Sequence, residues 1–147
     1  MANKDLLQKT REFFDSLGNW DYLMIKELCA SDVKWNVCAP SPIGGSYRGI
    51  KDVLSLLKKL EHRLPKGLYF IFDKIVLQDN TVAVEWRDYG KLRDGSSYEN
   101  HGMNFIRYTP RGKVKDISEI VDGSRIHLIT NKKMERLFNC SSQKRKV

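Results

Sequence analysis

Residues 68 to 121 read LYFIFDKIVLQDNTVAVEWRDYGKLRDGSSYENHGMNFIRYTPRGKVKDISEIV and contain four strand-like runs in succession. Each run is rich in β-branched and aromatic residues, and the short turn sequences DN, DG and PRG separate one run from the next. The predicted strands cover residues 68–78, 81–93, 96–109 and 113–121. Long strands joined by such short turns predict an antiparallel meander.

Three amphipathic helices are predicted before this meander, because apolar residues recur there at helical intervals. The predicted helices cover residues 5–17, 19–30 and 50–64. Gly18 ends the first helix, and Asn19 is a suitable N-cap for the second. A short strand is predicted at residues 33–37, and the proline- and glycine-rich residues 39–49 predict a loop. Helices followed by a meander predict an α+β fold, with the helices covering a concave face of the sheet.

Length and composition favour one soluble domain. The 147 residues suffice for a single core, and no apolar run approaches the ~20 residues of a membrane-spanning helix. Charged residues stand where a signal peptide would have its apolar segment, so we expect no secretion. The odd number of cysteines, without CxxC spacing, predicts reduced thiols and a cytoplasmic protein. The cysteines are Cys29, Cys38 and Cys140.

The net charge of +8 is concentrated at the C-terminal end. From Asn131 onward six basic residues and one acid give +5, which leaves only +3 for the first 130 residues. We therefore expect a domain at residues 1–130 and a basic tail at 131–147, and no nucleic-acid partner. The tail is typical of a solvated terminus; a nuclear address or a polyanion contact are its alternatives.

Two carboxylates share strand faces with apolar residues. In VAVEWRDYG, residues 82–90, a period of two places Asp88 on the same side as Val82, Val84 and Trp86. On the last strand Glu119 shares its face with apolar neighbours in the same way. A carboxylate on an apolar face costs several kcal/mol unless it is paired, hydrogen-bonded or hydrated. Both acids are therefore candidate functional groups, against the alternatives of a solvated strand end for Asp88 and a hydrogen-bonded buried acid for Glu119.

The order of several short motifs resembles a known group of families. The motifs are GNWDYL, LCASDVKWNV, GGSYRGIKDVLSLL, VAVEW, YEN and RGKVKDISEIVD, and the resemblance covers residues 5–123. They resemble the SnoaL-like polyketide cyclases and the limonene-epoxide-hydrolase and ketosteroid-isomerase relatives in the nuclear-transport-factor-2-like superfamily. The resemblance implies a curved sheet forming a cone, three helices closing its wide end, a deep apolar pocket and homodimers through the outer sheet face.

The resemblance also implies roles for the two acids. Glu119 stands where related epoxide hydrolases have a catalytic acid, and Asp88 stands where they have a second carboxylate. Two acids in one apolar pocket would have their pKa values pushed apart, so that one donates and the other accepts a proton. In cyclases of the SnoaL type an acid near the last strand removes a carbon-bound proton, and the position of Glu119 loosely fits this role.

The sequence departs from two of these relatives. The hydrolases have an arginine two residues before the middle-strand acid, where this chain has Trp86. The isomerases have a catalytic aspartate at the end of their first strand, and the corresponding position in this chain is close to Val37. The full residue set of neither reaction is therefore present.

Further residues are expected to line the implied pocket. Trp35 and Trp86 would form its wall, Asn100 and Asn104 would orient a ligand oxygen or satisfy the sheet interior, and the hydroxyl groups of Tyr22 and Tyr47 are candidate donors near its mouth or packing residues. Scattered histidines predict no metal site, and the absence of a phosphate loop or dinucleotide fingerprint predicts no cofactor. The histidines are His62, His101 and His127.

Two functions follow as hypotheses. The first is a small cofactor-independent enzyme that binds a hydrophobic small molecule and performs acid/base chemistry with Glu119 and Asp88, as a cyclase, isomerase or ring-opening hydrolase. The second is a non-catalytic ligand-binding or dimerisation module.

Overall fold

The structure is a computed structural model that describes residues 3–40 and 43–126. The elements are α1 (Asn3–Gly18), α2 (Tyr22–Leu28), β1 (Cys29–Cys38), β2 (Gly45–Arg48), α3 (Ile50–Arg63), β3 (Leu68–Gln78), β4 (Thr81–Lys91), β5 (Ser97–Tyr108), β6 (Val114–Val121) and the short α4 (Gly123–Ile126). The predicted α+β class is confirmed, with helices at the N-terminus and one curved, open sheet. The predicted basic tail at 131–147, the domain boundary at 130, His127 and Cys140 lie outside the described residues.

Strands β3 to β6 form the predicted antiparallel meander. Asp79, Gly95 and Gly112 have positive φ in the three connecting turns, as tight turns between strands require. A register shift between Phe72 and Lys74 interrupts the ladder of β3 with β4, and such irregularities bend a strand. The turn sequences therefore mark the strand ends to within two residues.

The other half of the sheet differs from the sequence prediction. Residues 45–48, expected in a loop, form β2, which pairs antiparallel with β1 through Trp35 and Tyr47. The sheet order is β2-β1-β6-β5-β4-β3, and β6 runs parallel to β1, so the sheet is mixed and not purely antiparallel. The parallel pair arises because α3 carries the chain to the far edge of the sheet and the meander returns from there.

Helices α1 and α3 fill the concave side of the sheet with apolar residues. Phe13 and Phe14 of α1 and Val53 and Leu57 of α3 are almost fully buried. Phe14 also makes edge-to-face contacts with two aromatic residues of β3. No helix of the described residues combines the length and hydropathy that crossing a bilayer demands.

The start of α2 differs from the prediction. Its N-cap is Asp21, whose carboxylate accepts a hydrogen bond from the backbone N–H of Met24 at 3.1 Å. Asn19, the predicted cap, instead donates to the carbonyl of Asp15 and extends the end of α1. Asn19 and Asp21 can each act as a cap, and the chain reversal at Trp20, which has positive φ, leaves Asp21 at the helix start.

Gly102 on β5 opens space on the concave face. A Cβ at this position would lie 2.7 Å from the indole of Trp86, its partner on β4, and 2.5 Å from the carbonyl oxygen of Ile120. The missing side chain therefore lets the Trp86 indole lie across β5. This position of Trp86 determines the polar contacts of the site.

Candidate active site

A cavity of about 80 Å³ lies between the helices and the concave face of the sheet. Most of its wall is apolar and comes from α1, α3, β1, β3 and β4. Polar groups enter this wall from three strands, namely the side chains of Asp88, Tyr98 and Glu119. Alternate residues of β4 face inward, so Val82 and Val84 lie in the core, and Trp86 and then Asp88 follow on the same face and reach the cavity.

The Asp88 carboxyl lies in an apolar environment, and few hydrogen bonds offset the cost of burying its charge. The residue is 5% exposed, and its Oδ1 atom has no hydrogen-bond partner among the described residues. Burial raises the pKa of Asp88 from 3.8 to about 7, although backbone N–H groups of Asn100 and of Asp88 itself oppose this rise. Asp88 is therefore not a solvated acid at a strand end.

Glu119 enters the same cavity from β6. Its neighbours in the sheet are Asn104 on β5 and Val37 on β1. Burial of the carboxyl raises the pKa of Glu119 from 4.5 to about 7. The amide of Asn104 opposes this rise, and the negative charge of Asp88 adds to it.

The two carboxyls titrate as a pair because each lies in the field of the other's charge. Burial raises both pKa values. Loss of the first proton makes loss of the second harder, so the pair holds one proton over a range around neutral pH. One group that donates and one that accepts a proton are thus present together.

Asn104 links Trp86 to Glu119. The indole Nε1 of Trp86 donates to Oδ1 of Asn104 at 2.7 Å, in the buried interior of the sheet. This bond fixes the amide with its NH₂ group directed away from Trp86, and Nδ2 has no bond of good geometry among the described residues. Asn104 therefore has an N–H available near Glu119.

Tyr98 and Asn100 form a second polar contact beside Asp88. Nδ2 of Asn100 lies 3.1 Å from the Tyr98 hydroxyl and 3.2 Å from the carbonyl of Asp122. Burial is the main cause that raises the pKa of Tyr98, and the negative charge of Asp88 adds to it, so the Tyr98 hydroxyl stays protonated. Sequence reasoning does not select Tyr98 as a site residue; its position on the inward face of the same strand as Asn100 is the signal that would have found it.

The remaining predicted site residues divide between the cavity and its surroundings. Trp35 lines the cavity, and its Nε1 has no partner within the described residues. Tyr47 is not part of the wall. Its pKa is raised mainly by burial and in addition by the nearby charge of Glu119. Its hydroxyl donates to the Ile43 carbonyl at 2.6 Å. Tyr22 lies outside the wall and donates to Glu61 between α2 and α3.

The donor groups of the cavity are poor metal ligands as a set. No three histidine, cysteine, aspartate or glutamate side chains converge anywhere in residues 3–40 and 43–126. The cavity offers two carboxyl groups, which are protonated more readily than usual, and neutral amide, indole and phenol groups. This set is suited to proton transfer and hydrogen bonding.

Comparison with known families now identifies the chain. The family model described as SnoaL-like domain matches residues 10–117. The chain belongs to the SnoaL-like domain family. The matched region runs from α1 into β6 and contains every strand of the meander at least in part. No curated protein matches the chain significantly.

Solved structures share the fold of this SnoaL-like chain. An NTF2-like protein from Burkholderia xenovorans is 22% identical with a TM-score of 0.70, covering 89% of this chain and 99% of the other. An NTF2-like protein from Burkholderia pseudomallei is 19% identical with a TM-score of 0.74, covering 89% and 100%. An LEH-like epoxide hydrolase from M. tuberculosis is 14% identical with a TM-score of 0.68, covering 83% and 86%. At these identities the likeness concerns the fold alone.

The raised pKa values predict that stability falls as pH rises. Both acids bind a proton more tightly in the folded protein than in the unfolded chain, so their contribution is complete below about pH 4 and is lost as pH passes 7. Replacing both, as Asp88→Asn with Glu119→Gln, should remove this loss and raise stability near pH 8 by a few kcal/mol. Urea unfolding at about pH 5 and about pH 8 measures the difference.

Asp73→Asn is the matched control. Asp73 is paired with Arg87 on the outer face, and that pairing lowers its pKa, so it stays charged throughout this pH window. The control should keep the pH dependence of the unmodified protein. An unmodified protein equally stable at both pH values, or a double variant with an unchanged slope, would contradict the assignment.

Proposed function

We propose that this SnoaL-like protein is a cofactor-independent enzyme that binds a hydrophobic small molecule in its cavity and uses Asp88 and Glu119 as an acid/base pair. The observation that carries the proposal is the presence of two carboxyls with raised pKa values in one apolar cavity. A general acid or base works best when its pKa is near the working pH. Burial gives both groups this property.

The cavity also contains polar atoms that the protein leaves unsatisfied. Trp35 Nε1 and Asp88 Oδ1 line it and are buried without a hydrogen-bond partner among the described residues. An unpaired buried polar atom costs roughly 1 to 3 kcal/mol, so two around one cavity are expensive for a scaffold alone. They support a ligand, or bound water, that accepts from the indole N–H and contacts the carboxyl.

The proposed step is a proton transfer next to a carbonyl group. The ionised carboxylate takes a proton from the carbon beside the carbonyl, and the carboxylic acid gives its proton to the carbonyl oxygen. The electrons of the broken C–H bond form the C=C bond of an enol, and the pair keeps its single negative charge with the two roles exchanged. Reprotonation at another carbon gives isomerisation, and attack of the enol on a second carbonyl gives cyclisation.

The same pair can open a strained ring. The carboxylic acid would protonate the ring oxygen of an epoxide, and the carboxylate would take a proton from the attacking water. Trp86, at the position of the hydrolase arginine, has a single N–H donor, and that donor is bonded to Asn104. This contact favours carbonyl chemistry over ring-opening hydrolysis.

Deuterium uptake by a simple ketone tests the proposal without knowledge of the natural substrate. Acetone in D₂O is a small neutral probe, with four heavy atoms, whose α-protons exchange through the enol. The unmodified protein should accelerate this exchange, and Glu119→Gln and Asp88→Asn should each lower the rate by ~10²- to 10⁴-fold, since each removes half of the pair. NMR of the ketone measures the exchange.

Glu99→Gln is the control for this experiment. Glu99 lies on the outward face of β5, and its side chain is exposed. This variant should retain the full exchange rate. Exchange that is equally fast in the unmodified protein and in both cavity variants would refute the acid/base proposal and favour the non-catalytic binding module.

We also propose that the protein forms a homodimer through the outer face of its sheet. Large apolar side chains are exposed there on β3, β5 and β6: Val76 (61%), Met103 (42%), Phe105 (49%) and Ile120 (60%). A contiguous apolar patch of this kind marks an interaction surface.

We also propose a cytoplasmic location, with which the free thiols of Cys29 and Cys38 are compatible.

A charge placed in this patch tests the dimer. Phe105→Glu should convert a dimer to a monomer in sedimentation velocity, because two buried carboxylates would meet across the interface. Leu23→Glu is the control, since Leu23 is 80% exposed on α2, away from the sheet face. A monomeric unmodified protein, or a dimer that survives Phe105→Glu, would contradict the proposed interface.

A further inference from the structure

A groove with a basic lining lies beside α3. Its volume is about 970 Å³. Its floor is formed by apolar side chains of α3, by Ile43 before β2 and by Tyr47 of β2. Lys51, Lys58 and Lys59 come from α3, and Lys26 from α2, with all four side chains exposed. No acidic side chain is among the described residues that line it. The groove therefore combines an apolar floor with a cationic rim.

Two of the groove lysines of α3, together with Ser55 and His62, lie along one stripe of the helix. Lys51, Ser55, Lys58 and His62 follow at intervals of four, three and four residues, which places them above one another on one face. The nearby Glu61 carboxylate accepts a hydrogen bond from the Tyr22 hydroxyl. It is therefore engaged outside the groove lining and does not form part of the rim.

The groove adjoins the cavity that holds the two carboxyls. Ile43, Leu56 and Leu60 line both spaces, so their side chains separate the groove from the cavity. The backbone hydrogen bonds that join α3 to other elements lie at its ends, where the N–H of the N-cap residue Gly49 donates to the Val33 carbonyl at 2.7 Å and the Arg63 carbonyl accepts from the Arg93 N–H at 3.1 Å. The wall at Leu56 and Leu60 is away from both ends. This boundary can be crossed without breaking a strand pairing.

Two other surface depressions share residues with the cavity but suit a ligand less well. One, on the outer side of the sheet, shares Trp86 and Val121, which belong to hydrogen-bonded strands. The other shares Phe14 and Phe70, which pack edge to face, and it is smaller, at about 190 Å³. The groove beside α3 is the largest of the three and the only one of them with a uniformly basic rim.

The size of the cavity requires a ligand to extend outside it. Ordinary ligand pockets measure roughly 300 to 1,000 Å³, and this cavity measures about 80 Å³. A substrate larger than a few heavy atoms must therefore place only its reacting end beside Asp88 and Glu119. The rest of the molecule would occupy the adjoining groove, where the rim favours negative charge.

The geometry points to an elongated amphipathic anion as the substrate class: a small molecule whose apolar, reacting end enters the cavity and whose carboxylate remains outside against Lys51 and Lys58. This inference rests on the proposed function for the role of the cavity. The occupant is a free small molecule, because the floor of the groove is continuous with the cavity wall through the three shared aliphatic residues. An acidic protein or a membrane surface would use the rim alone.

Octanoate and 1-octanol are suitable probes because they share an eight-carbon chain and differ in the charge of the head group. Trp35 and Trp86 line the cavity, so their fluorescence reports entry of the chain. The unmodified protein should bind octanoate more tightly than octanol, and high salt should reduce that preference. Lys51→Gln with Lys58→Gln should weaken octanoate binding about fivefold and leave octanol binding unchanged.

Lys74→Gln with Lys91→Gln is the matched control. It makes the same change in net charge on the sheet, away from the groove, and should leave the binding of both probes unchanged. Circular dichroism checks that all variants are folded. Equal affinity for the two probes in the unmodified protein, or equal weakening of both by the groove variant, would overturn the inference.

Vesicles that contain phosphatidylserine separate the free anion from a membrane surface. If the groove variant loses vesicle binding while octanoate binding persists, the rim is a membrane contact and the inference is wrong. Failure of this inference is distinguishable from failure of the proposed function. Ketone exchange uses a neutral probe and depends on Asp88 and Glu119, so it can persist when octanoate shows no preference.

Discussion

The placement of one buried and one partly buried carboxyl group in a shared apolar cavity governs the properties of this protein. Asp88 and Glu119 face one apolar cavity, and neither forms an ion pair with any described residue. A charge in such a place is costly, and the low dielectric amplifies the repulsion between two such charges. The protein responds by holding protons that exposed carboxyls would release. Stability, protonation state and reactivity are therefore coupled through the same two side chains.

The fold creates this situation through strand order. Strand β6 lies between β1 and β5, so Glu119 enters the middle of the sheet, and Asp88 enters two strands away on β4. Gly102 leaves room between them, and the Trp86 indole occupies that room and holds the Asn104 amide at 2.7 Å. The residues that support each acid are thus positioned by backbone pairing, which is more rigid than a loop.

Part of this arrangement is predictable from the sequence because it depends on local periodicity. The turn dipeptides locate the ends of the meander strands, and the period of two places Asp88 and Glu119 on inward faces. Strand β2 is not predictable in this way, since its four residues follow a proline- and glycine-rich segment and pair with β1 only in the folded chain. The position of Tyr22 beside Glu61, and the shift of the α2 cap to Asp21, likewise depend on how the helices meet.

The chemistry of the cavity is less predictable than its location. Periodicity identifies which acids point inward, but their pKa values depend on the depth of burial, on Asn104 and on each other. Likewise, a run of lysines on an amphipathic helix is typical of a solvated face. Only the shared wall of Ile43, Leu56 and Leu60 shows that the lysines of α3 border the space that leads to the acids.

A direct titration of the two carboxyls tests the central claim. In protein labelled with ¹³C at aspartate and glutamate carboxyls, the resonances of Asp88 and Glu119 can be assigned by Asp88→Asn and Glu119→Gln and followed with pH. Both should titrate around pH 7, whereas Asp73 and Asp94, whose hydrogen bonds lower their pKa values, should titrate below the usual range. If both cavity resonances titrate near the ordinary carboxyl pKa of about 4, the acids are hydrated, and the proposed acid/base pair does not exist.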